Sequence, residues 1–153
     1  MIFVRVSPTV PGTVIEATQQ VQDLKVGGVV VFKSTLPDQA SIINGIQGQS
    51  KTPLLVAIDG EWGIGMRFTD VKNFPYQMAL GSLSDNDLIY QMGKEVARQA
   101  KRSGIHINLA PTIDVNNNAM NPVIGFRSFG EDPKDVAAKG LAYMKGMEDG
   151  GIV

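Results

Sequence analysis

The sequence predicts an α/β fold built on parallel strands. Short β-branched runs alternate with segments of helical period along the whole chain. The later runs are apolar without a break, as in strands buried on both faces. Strands that alternate in this way with amphipathic helices imply parallel pairing through right-handed crossovers.

The first strand is Ile2 to Val6, a β-branched and aromatic run ended by Ser7-Pro8. Thr13-Val14-Ile15-Glu16 has capping-box spacing, and Val14, Ala17, Val21 and Leu24 then recur at helical intervals. Gly27-Gly28 ends that helix, and Val29-Val30-Val31-Phe32 forms the second strand. Thr35-Leu36-Pro37 opens a helix carrying Ile42, Ile43 and Ile46. Pro53 to Ile58 is the third strand, with Asp59 at its end. Residues 60–83 show no clear period, and an unstructured stretch of that length in a compact domain points to function.

Ser84 with Asp87 reads as a capping pair for a helix bearing Leu88, Met92, Val96 and Ala100. Lys101 and Arg102 suit the negative end of its dipole, and Gly104 suits its stop. Ile105 to Ala110 is the fourth strand, and Pro111-Thr112-Ile113-Asp114 leads out of it. After a second loop-like segment, Asp132 and Pro133 take N-cap and N1 positions of a last helix through Val136, Leu141 and Met144. The methionines at helical spacing are expected in the core. Gly150-Gly151 ends the helix, and Ile152-Val153 reads as the first step of a fifth strand. The pattern is about four β-α units and the start of another. Two architectures fit: a small doubly wound sheet, or the first half of a (β/α)8 barrel. Complete barrels run to about 250 residues, so the second expects 1–153 to be a partial domain, truncated before strand five.

The chain has 153 residues, with 14 Lys+Arg against 15 Asp+Glu and a net charge of −1. That balance offers no electrostatic reason for a nucleic acid or anionic membrane partner. No apolar run approaches the roughly 20 residues of a membrane span. Met1 to Arg5 opens directly on a strand, with no signal-peptide pattern. With no Cys and one His, disulfides, thiolate chemistry and zinc sites are not expected. These features leave the compartment open.

In either architecture function gathers where strands end. Lys33, Asp59 and Asp114 hold those positions, and the long loops add Glu61, Trp62, Arg67, Arg127, Glu131 and Asp132. Asp59-Gly60-Glu61-Trp62-Gly63-Ile64-Gly65-Met66-Arg67 is the densest cluster. A carboxylate at a strand end accepts hydroxyl hydrogen bonds and a nearby Arg donates several, which suits a polyol such as a sugar ring. An Asp capping a turn, with a surface Arg paired to it, gives the same sequence. Gly63-Ile64-Gly65 lacks the third glycine and the following helix of a dinucleotide fingerprint. Arg127, bracketed by Phe126 and Phe129, can bind hydroxyls bidentately or tie its loop to Asp132 or Glu131.

Asp114 to Asn118 resembles the start of a calcium loop, but Ala119 stands at the required Gly and Gly125 at the required Glu. His106, between Ile105 and Ile107, reads as a core histidine, and no nucleophile elbow pairs with it. Trp62 serves equally as a sugar platform or as packing. Asp59, Glu61 and Asp114 offer more than one carboxylate pair of the kind glycosidases use, and spacing does not choose among them.

Four segments, in order and separation, resemble glycoside hydrolase family 3: Gly27 to Phe32, Leu55 to Arg67, Asn108 to Val115, and Ile124 to Pro133. The resemblance covers essentially the whole chain and implies the first half of a (β/α)8 barrel. It implies that Asp59, Arg67 and Arg127 bind the non-reducing-end sugar, and that Asp114 organises its loop. Most members carry Gln-Glu-Gly-Gly after the strand-three Asp; Gly60-Glu61-Trp62-Gly63 here is similar to the bacterial β-N-acetylglucosaminidase branch. The implied reaction is retaining double displacement, removing terminal β-linked N-acetylglucosamine without cofactor or metal. The family's acid/base and nucleophile lie beyond Val153, so no catalytic residue is expected in this chain. A β-glucosidase or xylosidase of the same family, and a non-catalytic α/β sugar-binding module, are the alternatives. The expected partners are a carbohydrate and the remainder of the chain's own barrel, or a second copy meeting its open sheet edges.

Overall fold

The computed structural model describes residues 1–153. Four strands, β1 (Phe3–Val6), β2 (Gly28–Val31), β3 (Leu55–Ile58) and β4 (Ile107–Asn108), form one parallel sheet in the order β1-β2-β3-β4. Each strand lies beside its neighbour in sequence, and nowhere does the order reverse as it must at the switch point of a doubly wound sheet. This sequential order is that of a (β/α)8 barrel, and the ambiguity between the two architectures ends there. Val153 adds a contact on the far side of β4: Asn108 N–H donates to its carbonyl at 2.8 Å, and its own N–H donates to His106 O at 3.1 Å. A parallel partner strand makes bonds of this kind.

Four helices lie between the strands, α1 (Thr13–Leu24), α2 (Leu36–Gln47), α3 (Gln77–Gly81) and α4 (Asn86–Arg102), and α5 (Pro133–Asp149) follows β4. The core is the sheet's Val29, Val31, Val56 and Ile58 packed on Ala17, Val21, Ile43, Ile46, Val96 and Tyr143 from the helices. The helices α4 and α5 touch backbone to backbone. A Cβ on Gly93 would lie 3.2 Å from Gly146 Cα, and one on Gly146 would lie 3.0 Å from Lys94 N. Only glycine fits at this crossing, which brings Tyr143 and Met147 of α5 under the strand ends.

Several local expectations change. Residues 60–83 are not structureless, because they hold a 3-10 turn at Ile64–Met66 and the short α3. The Thr13 hydroxyl donates to Ser7 O at 2.6 Å and accepts from Ser7 N–H, so it ties α1 to the end of β1 and Gly12 takes the N-cap. The N-cap of α4 is Asp85, which accepts from Asp87 N–H, rather than Ser84. Thr35 and Asp132 do cap α2 and α5. Leu24, Leu88, Leu141 and Met144 are exposed, because their helices are covered on a narrower stripe than their apolar residues span. Met92 and Met147 are buried.

His106 is no core residue. It is exposed one position before the β4 ladder begins, and its Nδ1 accepts the Val56 N–H at 3.0 Å. That ring nitrogen stands in for the backbone carbonyl that a longer β4 would supply.

Candidate sugar-binding site

The site lies where β3 and β4 end. After Ile58 the chain enters Asp59, turns at Gly63 (φ 87°) and winds through Ile64–Met66, which returns Arg67 to where it began. The Arg67 guanidinium donates to Asp59 Oδ2 at 2.8 Å and, through Nε, to Asp59 O at 3.2 Å. It also sits over the Phe32 ring at 4.8 Å, a cation–π contact from the end of β2. Backbone bonds from Ser34 N–H to Arg67 O (3.0 Å) and Thr69 N–H to Ser34 O (3.1 Å) pin this segment to the neighbouring loop.

Both readings of the Asp59–Arg67 pair are therefore present in one object. The two are paired, and both are only partly buried, with side chains 32% and 17% exposed. Two of Arg67's five N–H donors go to Asp59, leaving three; Asp59 Oδ1 accepts none. Free donors beside a free acceptor form the pattern that a pair of neighbouring hydroxyls satisfies.

Arg127 does not turn to Asp132 or Glu131. It reaches Glu61, 66 residues away: Nη2 donates to Oε1 at 2.7 Å and Nε to Oε2 at 2.9 Å. The Glu61 side chain is 6% exposed and that of Arg127 is 36% exposed, so a buried carboxylate anchors a guanidinium that stays partly exposed. Hydrogen bonding to Glu61 raises the Arg127 pKa further, with smaller contributions from the charges of Asp114 and Asp59. Arg127 also bonds Thr112 Oγ1 at 3.4 Å and Val123 O at 3.3 Å.

The next residue bolts this loop down. Ser128 is fully buried, and its hydroxyl donates to Asp114 O at 2.6 Å and lies 2.9 Å from Gly130 O. Asp114 holds the loop through this carbonyl, while its side chain is exposed on the cleft.

One cleft thus brings together Asp59, Glu61, Arg67, Asp114 and Arg127, with Trp62 in its wall. Trp62 meets Tyr76 edge-on at 4.7 Å, and Tyr76 lies 6.2 Å from Phe126, so an aromatic row borders the charged groups. Lys33, Glu131 and Asp132 are not among the groups lining it. Asp59 and Glu61 each accept from an arginine, an arrangement that fixes acceptors rather than one that carries a proton to a leaving group. No three His, Cys, Asp or Glu side chains converge to hold a metal ion. No helix is long and apolar enough to cross a membrane.

The family model for the glycosyl hydrolase family 3 N-terminal domain matches residues 6–153. The chain belongs to glycosyl hydrolase family 3. It is 31% identical over 151 residues to β-hexosaminidase A of Pseudoalteromonas piscicida, an alignment covering 90% of this chain and 25% of that one. It is 32% identical over 155 residues to a β-hexosaminidase of Xylella fastidiosa (strain 9a5c), covering 94% and 46%. The structure of a family 3 β-N-acetylglucosaminidase from Paenibacillus sp. str. FPU-7 superposes with a TM-score of 0.86 at 30% identity, covering 99% of this chain and 30% of that one. The chain thus spans between a quarter and a half of the length of these relatives. The family places it among the glycoside hydrolases, and its parallel α/β sheet matches the family's barrel domain.

Several contributors escape sequence reasoning. Glu61 is recognisable as a charged residue of the long loop beside the strand-end Asp59, but its partner is set by a fold contact across 66 positions. Gln77, buried in α3, donates to Glu61 O at 3.2 Å and has no local signature. Asn108 does leave a signal, a polar residue inside a strand pattern, where a buried amide must find partners.

Proposed function

We propose that this chain supplies the sugar-holding part of the active site of a retaining, exo-acting glycoside hydrolase that removes terminal β-linked N-acetylglucosamine. The observation that carries it is the free Oδ1 of Asp59 beside the unused donors of Arg67, in the cleft that Arg127 also lines. Asp59, Arg67 and Arg127 bind hydroxyls of the terminal sugar. Arg67 and Glu61 keep Asp59 and Arg127 in place before substrate arrives, so little ordering is left for binding to impose. The retaining mechanism proceeds through a covalent glycosyl-enzyme, which needs an acid/base and a nucleophile. In this reading both come from outside residues 1–153, on further barrel strands that pair with the open edge of β1 and with Val153. The names of the relatives support N-acetylglucosamine as the sugar.

The test is hydrolysis of an aryl β-N-acetylglucosaminide and an aryl β-glucoside by the intact protein. The expected result is a higher kcat/KM for the first. Preference for the glucoside would move the protein to the glucosidase branch. Residues 1–153 alone are expected to hydrolyse neither. Turnover by them that disappears with Asp59→Ala would overturn the division of labour.

A further inference from the structure

The Gly60 peptide groups are held from two other elements. Asn108 lies in β4 and is 5% exposed, at a position where the strand pattern calls for an apolar side chain. Its Oδ1 accepts the Gly60 N–H at 2.9 Å, while its Nδ2 lies 3.4 Å from Gly60 O and 3.2 Å from the Met147 sulfur. The Gly60 carbonyl also accepts the Tyr143 hydroxyl at 3.3 Å and the Gly63 N–H at 3.1 Å. Tyr143 and Met147 come from α5, and both are buried. Burial pushes the Tyr143 phenol above its ordinary range, so it remains a donor.

The geometry matters because of what flanks Gly60. Its N–H belongs to the peptide plane that follows Asp59, and its C=O to the plane that precedes Glu61. A glycine between two functional carboxylates leaves both planes free to rotate unless something else holds them. Here Asn108 holds the first plane, and Tyr143 with the Gly63 N–H holds the second. The two carboxylates depart to different arginines, Asp59 to Arg67 and Glu61 to Arg127. We propose that Asn108, assisted by Tyr143, is a positioning residue that sets the direction of Asp59 through the Gly60 peptide. This rests on the reading of Asp59 as a sugar-holding group.

A purely structural amide would cost stability when removed, and its loss would be the same whatever stands at position 59. A positioning amide acts through Asp59, so its effect on catalysis depends on Asp59 being there. The experiment is a double-mutant cycle in the intact protein. Asn108→Ala and Tyr143→Phe are each made with Asp59 present and with Asp59→Ala. kcat/KM is measured for an aryl β-N-acetylglucosaminide, with the melting temperature as a check on folding. Where the double variant is too slow to follow, the dissociation constant for N-acetylglucosamine closes the same cycle.

With Asp59 present, Asn108→Ala is expected to lower kcat/KM about tenfold, mainly through KM, and Tyr143→Phe about threefold. In the Asp59→Ala background both losses should shrink below about twofold. If Asn108→Ala does not fold, Tyr143→Phe, which removes one hydroxyl and keeps the ring, carries the test. A large Asp59→Ala effect with undiminished losses in both backgrounds overturns the positioning role alone. An Asp59→Ala variant as active as the parent overturns the sugar-holding reading, and this proposal with it.

Discussion

Two arginine–glutamate pairs in this molecule have the same forked geometry in opposite surroundings. Arg98 and Glu95 lie three positions apart on α4, bonded at 2.6 Å through both nitrogens, with side chains 55% and 38% exposed. Arg127 and Glu61 are bonded at 2.7 and 2.9 Å across 66 positions, and the glutamate is 6% exposed. Water competes for every bond of the first pair and screens its charges, so its formation contributes little to stability. Glu61 has no such alternative. Removing its arginine leaves a carboxylate desolvated without a counter-charge. Bond lengths do not separate the two pairs; what each acid does when its partner is gone does. The Asp59–Arg67 pair, 32% and 17% exposed, stands between them.

Substitutions can break this ordering. Arg127→Ala is expected to lower unfolding free energy by about 3 kcal/mol in urea denaturation, the low end for breaking a buried pair because the arginine itself is partly exposed. Adding Glu61→Gln to that variant should recover part of the loss. A change below about 1 kcal/mol would place the pair with ordinary surface ion pairs. Arg67→Ala should cost less, about 1–2 kcal/mol, since both partners keep some water. It should also lower kcat/KM of the intact protein through KM, because its free donors face the cleft.

Glu95→Gln should lower the unfolding free energy at neutral pH only slightly, by less than about 1 kcal/mol, and leave kcat/KM unchanged within error. Its pH dependence supplies a finer check. The hydrogen bond from Arg98, then that from Gln99, holds the Glu95 carboxyl down to about 2 from 4.5. A depressed carboxyl contributes stability that is fully present above its unfolded value and is lost as pH falls toward its folded one. The small difference between parent and Glu95→Gln should therefore fade between pH 4.5 and 2. A difference that grows on acidification would contradict the assigned cause.

Legibility in the sequence follows the range of the interaction. Thr35 and Asp132 are readable as caps because the cap bond closes within three residues. Thr13 has the same local spacing, yet its hydroxyl goes to Ser7, six positions back, a partner the β1–α1 packing provides. Leu141 and Met144 satisfy a helical period and still face outward, since period names a stripe and not what covers it. The strand-end rule and the family resemblance singled out Asp59, Arg67 and Arg127, and the fold does bring all three to one cleft.

The sequence by itself determined the alternation of strands and helices, most of their ends, and which strand-end residues carry charge. These depend on neighbours within a turn or a pleat, where side-chain period and cap chemistry act directly. Tertiary structure alone decided the strand order β1-β2-β3-β4, the pairing of Arg127 with Glu61, and the seating of Gly60 against Asn108 and Tyr143. Each of these joins groups at least 48 residues apart or selects among sheets built from the same strands. Partners at that distance are chosen by how the helices pack around the sheet, and no local pattern encodes that choice.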